Sequence, residues 1–225
     1  MKNLKVTTFG LCLLTLVSCG SSQKNGALIG TGAGAVLGTI IGKIAGNTAV
    51  GAAIGSAVGA GTGAIIGRHM DKVAEQAAAK VENATVEEVT DANGLTAVRV
   101  TFDSGILFAT NKSDLNAASK SDLAKFSSVL KENQDCQVDI YGHTDSTGND
   151  GINIPLSTKR AESVVTYLKS CGVPASQFQN VVGKGSSEPV ADNSTTEGKQ
   201  KNRRVEVYLY ASQTMIDAAN AGTLK

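Results

Sequence analysis

Apolar and polar positions fall into stretches of different period along the chain. Thr7 to Val17 is a short apolar run preceded by Lys2 and Lys5. From Gly26 the period becomes four. Glycine recurs at 26, 30, 34, 38, 42 and 46 and, after one step of five, at 51, 55, 59, 63 and 67, with Ala, Ile, Val, Leu and Thr between. A step of four keeps one residue type on one helix face. The pattern predicts helices over 26–46 and 50–67, joined by a turn at Gly46-Asn47-Thr48. At 1.5 Å per residue the first is about 31 Å long, close to the hydrocarbon thickness of a bilayer. Charge then returns: Asp71, Lys72, Glu75, Lys80, Glu82, Glu87 and Glu88 surround Ala and Val. This predicts a solvated, alanine-rich stem over 70–82 that extends the second helix.

Beyond Glu87 helical and strand periods alternate. A short strand near 85–91 and the turn Asn93-Gly94 lead into a strand carrying Leu95, Ala97, Val98, Val100 and Phe102. Asp103 to Thr110 is an apolar loop. Leu115, Leu123, Phe126, Val129 and Leu130 mark one helix face, and Cys136, Val138, Ile140 and Gly142 a strand. Pro155 is expected in the first turn of a helix that turns Ala161, Val164, Val165 and Leu168 inward and ends at Gly172. Phe178, Val181 and Val182, then Val205, Val207 and Leu209, give the last strands. The fold class expected is α/β: one compact mixed sheet with helices packed on one face, preceded by a glycine-zipper helical hairpin.

The glycine repeat constrains its own setting. An interior glycine costs a helix about 1 kcal/mol relative to alanine in water, and the repeat has eleven. Close backbone packing or membrane insertion has to offset that loss, as in small-xxx-small interfaces. Apart from Lys43 near the turn and Arg68-His69 at the exit, the repeat carries no charge. It resembles the glycine-zipper segments of envelope lipoproteins and small membrane proteins. A flexible spacer is the plainer alternative. Gly42-Lys43 lacks the following hydroxyl of a phosphate-cradling loop.

The N-terminal run has the layout of a secretory signal: a positive head, a short apolar stretch and a small residue, Ser18, before Cys19. Leu16-Val17-Ser18-Cys19 resembles the bacterial lipobox, which implies a diacylglyceryl group on the Cys19 thiol. Gly20 in place of an aspartate favours the outer membrane by the same resemblance. Two or three acyl chains suffice for stable anchoring where one is marginal. Without Lys2 and Lys5 the chain has 19 basic and 20 acidic residues, which gives no support for nucleic-acid binding. Cys136 and Cys171 remain as a candidate disulfide in an oxidising compartment, or as two small buried apolar side chains. The expected organisation is a signal over 1–18, a lipidated tether over 19–25, the zipper over 26–69, a stem over 70–90, a domain over 91–212 and a tail over 213–225.

Three clusters carry the chemistry of that domain. They are Gly142-His143-Thr144-Asp145-Ser146-Thr147-Gly148, then Asn153-Ile154-Pro155-Leu156-Ser157-Thr158-Lys159-Arg160-Ala161, then Gly183-Lys184-Gly185 with Asn202-Arg203-Arg204-Val205-Glu206-Val207. With these residues, roughly 95–212 resembles the OmpA-like peptidoglycan-binding domain family. The resemblance implies a groove for the free amine and carboxylate of an uncrosslinked peptide stem, commonly at diaminopimelate. Asp145 matches the residue that meets the amine, and Arg160 the one that meets the carboxylate. A guanidinium fork can pair bidentately with a carboxylate and a lysine cannot. Thr144 and Asn153 are supporting candidates. Arg203 and Arg204 also match the family, one as a candidate to line the groove and the other to pair with an acid at the sheet edge. Pro155 before Leu156-Ser157 departs from the polar residue more typical of the family.

Other classes are weaker. His143, Asp145, Ser146 and Ser157 lie close in sequence, but no nucleophile elbow is present and an i,i+2 pair diverges on a strand. His143 is read as a support of the binding loop. The histidines His69 and His143 belong to different segments, and no Cys/His spacing suits zinc, so neither metal, cofactor nor enzymatic activity is expected. The expectation is an outer-membrane lipoprotein with a periplasmic domain on peptidoglycan and homo-oligomers formed through the zipper. The alternative is an envelope structural protein that assembles through the zipper, with the domain as scaffold.

Overall fold

The structure is a computed structural model that describes residues 60–103, 107–108 and 111–224. The zipper over 26–59, the lipobox and the tether lie outside the described residues. Helix α1 (Ala60–Lys80) leads into β1 (Ala84–Thr90) and β2 (Thr96–Asp103). There follow α2 (Ala117–Glu132), β3 (Cys136–Gly142), α3 (Asp150–Ser170), a 3-10 turn (Ala175–Gln177), β4 (Phe178–Gly183), α4 (Thr196–Asn202), β5 (Arg204–Ala211) and α5 (Gln213–Asn220). The five strands form one sheet in the order β1-β2-β5-β3-β4. β3 and β4 are parallel and every other pair is antiparallel. Among the described residues no helix is long and apolar enough to cross a membrane.

Strand alternation sorts the side chains to two faces. Val98, Val100 and Phe102 on β2, Val138 and Ile140 on β3, and Val205, Val207 and Leu209 on β5 join the core under the helices. Phe126 of α2 meets Phe102 edge to face, with ring centroids 5.7 Å apart. The intervening positions, Ala97, Tyr141, Tyr208 and Tyr210, cluster with Val89 on the other face. α2 begins at Asn116, whose side chain accepts from Ser119 N. α3 stops at a left-handed Gly172, with Val173 N donating to Leu168 O and Gly172 N to Lys169 O.

Several expectations need correction. Residues 70–82 are no solvated stem. Ile66, Met70, Val73, Ala74 and Ala77 of α1, with Val81, lie in the main core. Their spacing of three and four was present in the sequence, but the charges between them masked it. The tail from 213 is likewise helical and buries Met215, Ile216 and Ala219. Pro155 sits in the second turn of α3, because the helix already begins at Asp150. Cys136 and Cys171 are free thiols. Cys136 is buried against the Met70 sulfur, 3.9 Å away, while Cys171 caps α3.

Candidate functional site

The three sequence clusters meet where the parallel strands β3 and β4 end. Gly142 and Gly183 face each other across these strands. α3 crosses them so closely that a Cβ on Gly142 would stand 2.1 Å from Ser157 O, and one on Gly183 2.3 Å from Thr158 N. Only glycine permits this approach. Main-chain bonds then fix the loops: His143 N donates to Arg204 O (2.9 Å), Thr144 N to Gly185 O (2.8 Å) and Lys184 N to Gly142 O (2.8 Å). Ser157 Oγ accepts from Gly185 N at 3.0 Å and donates to Ile154 O at 2.9 Å. That hydroxyl is committed to structure.

Asp145 and Arg160 are both buried here. The Asp145 carboxylate accepts from Thr147 N (2.7 Å) and from Arg203 Nη1 (2.7 Å). Burial works against its charge, but those two donors outweigh it and hold the carboxyl below the usual aspartate range. Asn153 Nδ2 donates to Thr147 O at 3.0 Å and tethers this loop to the first turn of α3. Arg160 stacks its guanidinium over Phe108, 5.3 Å from the ring centroid, and donates Nε–H to Lys112 O at 3.1 Å. Among the described residues its Nη1, which is buried, has no hydrogen-bond partner, and neither has the buried Thr144 Oγ1. Burial and the nearby Arg203 lower the Arg160 pKa, while Asp145 opposes them. The locality therefore holds one carboxylate and two guanidinium groups, and besides Arg160 Nη1 and Thr144 Oγ1 both ring nitrogens of the adjacent His143 lack a hydrogen-bond partner among the described residues. Buried polar groups without partners carry a cost and need an explanation.

The remaining residues separate into roles. Arg204 is internal. It bonds Glu206 Oε1 at 2.6 Å, Asn202 O at 3.3 Å and Glu188 O at 3.1 Å. His143 is fully buried, 3.8 Å from the Glu206 carboxylate. Burial, with Arg204 nearby, lowers its pKa to about 3, so the ring is neutral and is no base at ordinary pH. Asn202 stands in the third sequence cluster without an assigned role; its amide bonds Val190 N, Ala191 N, Ala191 O and Asn193 Oδ1. Asn193 in turn accepts from Ser146 N, so Asn202 braces the Asp145 loop from behind. Phe108 and the Lys112 carbonyl were also unassigned. The apolar loop was visible, but its contact with Arg160 is purely tertiary.

Residues 107–203 match the OmpA family, and residues 1–71 match the YMGG-like Gly-zipper family. The outer-membrane lipoprotein YfiB of Pseudomonas aeruginosa is 41% identical over 110 residues, covering 49% of this chain and 65% of that protein. The peptidoglycan-binding protein ArfA of Mycobacterium tuberculosis is 44% identical over 102 residues, 45% of this chain and 31% of its own length. The chain thus spans about a third of ArfA. Among solved structures, the cell wall anchor of the T6SS from Pseudomonas aeruginosa superposes with a TM-score of 0.52 at 26% identity, over 64% of this chain and 97% of that one.

Proposed function

From a chain that carries an OmpA-family domain behind a glycine-zipper segment, we propose an outer-membrane lipoprotein that grips the peptide stem of peptidoglycan and tethers membrane to wall. The observation that supports this reading is the pair of buried polar atoms, Arg160 Nη1 and Thr144 Oγ1, without a partner among the described residues and beside the Asp145–Arg203 ion pair. A stem residue such as diaminopimelate offers an ammonium and a carboxylate on one carbon. The carboxylate completes the Arg160 fork, and Thr144 adds a hydroxyl. The ammonium takes lone pairs that Asp145 retains, since an ionised carboxylate has about four acceptor sites and two are in use. Arg203 keeps the carboxylate oriented. Arg204 and Asn153 act on the loops, not on the ligand. The lipid on Cys19 holds the N-terminus in the outer membrane, with the domain in the periplasm. Resemblance to lipoproteins such as YfiB supports that placement.

Co-sedimentation of the full chain with purified sacculi tests the groove. Asp145→Ala and Arg160→Ala should each abolish pelleting. Arg160→Lys, which keeps the charge and loses the fork, should weaken it about 10-fold or more. Pelleting of the double variant at the wild-type level overturns the groove. The match of residues 1–71 to a glycine-zipper family favours self-association as a second activity. Gly34→Leu with Gly38→Leu and Gly55→Leu should then reduce oligomer size or membrane association without loss of sacculus binding.

A further inference from the structure

At the end of β3 remote from the groove, α1 brings together residues that sequence spacing kept apart. His69 Nε2 lies 3.5 Å from Asp135 Oδ2, and Cys136 Sγ lies 3.9 Å from Met70 Sδ. One donor atom from each of His69, Asp135 and Cys136 falls within 4.8 Å of the other two. We propose that His69, Asp135 and Cys136 form a binding site for a borderline-soft divalent cation of the zinc class.

The donor set selects the class of ion. Imidazole, carboxylate and thiolate together suit zinc, whereas calcium and magnesium take oxygen ligands. Tetrahedral zinc with bonds of about 2.0–2.3 Å needs donors about 3.3–3.8 Å apart. The His69–Asp135 separation already lies in that window. The rest of the triangle closes by about 1 Å, a movement within reach of side-chain rotation. Charge also balances, since one thiolate and one carboxylate neutralise a divalent ion. Arg68 and Lys72 border the neighbouring 270 Å³ cavity beside His69. They oppose a bare cation and leave the neutral assembly as the favoured one. On binding, the Cys136 S–H bond breaks, its proton leaves to solvent, and the thiolate lone pair forms the metal–sulfur bond. Cys136 is 1% exposed, whereas His69 and Asp135 are half-buried, so the ion enters past the latter two.

A purely structural role, an ion pair pinning α1 to the start of β3, involves His69 and Asp135 alone. The thiol is therefore the discriminating group. The full chain in detergent, with a phosphine reductant, is titrated with Co²⁺ and then Zn²⁺. A thiolate-to-cobalt charge-transfer absorption should saturate at one equivalent and disappear on adding zinc. Cys136→Ser should remove it, Cys171→Ser should leave it, and His69→Gln or Asp135→Asn should weaken affinity about 10- to 100-fold or more. Circular dichroism and sacculus pelleting check that each variant is folded. Should Cys136→Ser unfold, the half-buried His69→Gln carries the test. No charge-transfer band in the wild-type chain, a band that survives Cys136→Ser, or one indifferent to both His69→Gln and Asp135→Asn overturns the site.

Discussion

Replacing Gly142 by alanine adds one carbon at the tightest point of the groove's foundation. The new Cβ would stand 2.1 Å from Ser157 O, a main-chain atom of α3. Carbon–oxygen contacts normally stop near 3.3 Å, so α3 must retreat by roughly 1 Å. Neither side can swing aside, because both are backbone. Overpacking of this kind costs about 1–3 kcal/mol. For a domain of this size that corresponds to a fall in Tm of about 3–10 °C. Binding should suffer separately. Arg160 lies three residues beyond Ser157 on the same helix, and a site tolerates displacements of only about 0.5 Å. Loss of one charge-assisted hydrogen bond, about 1.5–3 kcal/mol, weakens binding about 10- to 100-fold. Thermal melts and sacculus co-sedimentation of Gly142→Ala measure the two effects. A variant with unchanged Tm and unchanged pelleting would refute the close approach and the groove geometry built on it.

A fragment beginning at residue 91 should be largely unfolded by circular dichroism, whereas one beginning at 60 should melt cooperatively. The shorter piece lacks Ile66, Met70, Val73 and Val81, each contributing about 1.5–3 kcal/mol of burial. Acid should destabilise the domain through His143, since its folded pKa of about 3 lies below the unfolded value near 6.5. Stability from this group is full above pH 6.5 and falls as pH drops towards 3, by about 2–3 kcal/mol at pH 4.5 in urea melts, a loss that His143→Gln should remove. Asp145 acts lower: its depressed pKa keeps the Arg203 pair intact above the usual carboxylate range and loses it only beneath that range. Gly67→Ala should stabilise the domain by about 0.5–1 kcal/mol in the same melts, because the added Cβ meets only Thr96 Oγ1 at an ordinary 3.5 Å. Weakened zipper assembly in that variant would separate the needs of the repeat from those of the domain.

The sequence made some of this legible for clear physical reasons. Strand alternation at Val205, Val207 and Leu209 and the stop at Gly172 are local signals, and the structure follows them. The clusters around Asp145 and Arg160 were visible because short motifs carry their own chemistry. What stayed hidden was tertiary. Nothing local tells that Arg203 reaches Asp145 across 58 residues, or that Arg204 beside it turns inward to Glu206. Adjacent arginines on an extended strand project to opposite faces, so one neighbour can serve the groove only if the other does not. The approach of His69 to Cys136 was hidden for the same reason, since no Cys/His spacing in the sequence suits zinc. Their contact depends on where α1 docks.

The docking of α1 also changes how the chain can work as a tether. Gly63 and Gly67 continue the four-residue repeat, yet both lie in α1, close to Leu95 and Thr96 of the domain. The repeat's last turns and the domain's first helix are therefore one element. Lys80 ends that helix only four residues before β1 begins. Among the described residues no flexible spacer stands between repeat and sheet, so a load borne at Asp145 and Arg160 passes through packed core into α1. A hinge must come earlier in the chain or not at all. An entropic spring would need a solvated, weakly structured stem at 70–90. In its place stands a helix whose buried face is part of the core, which couples the domain rigidly to the last turns of the repeat.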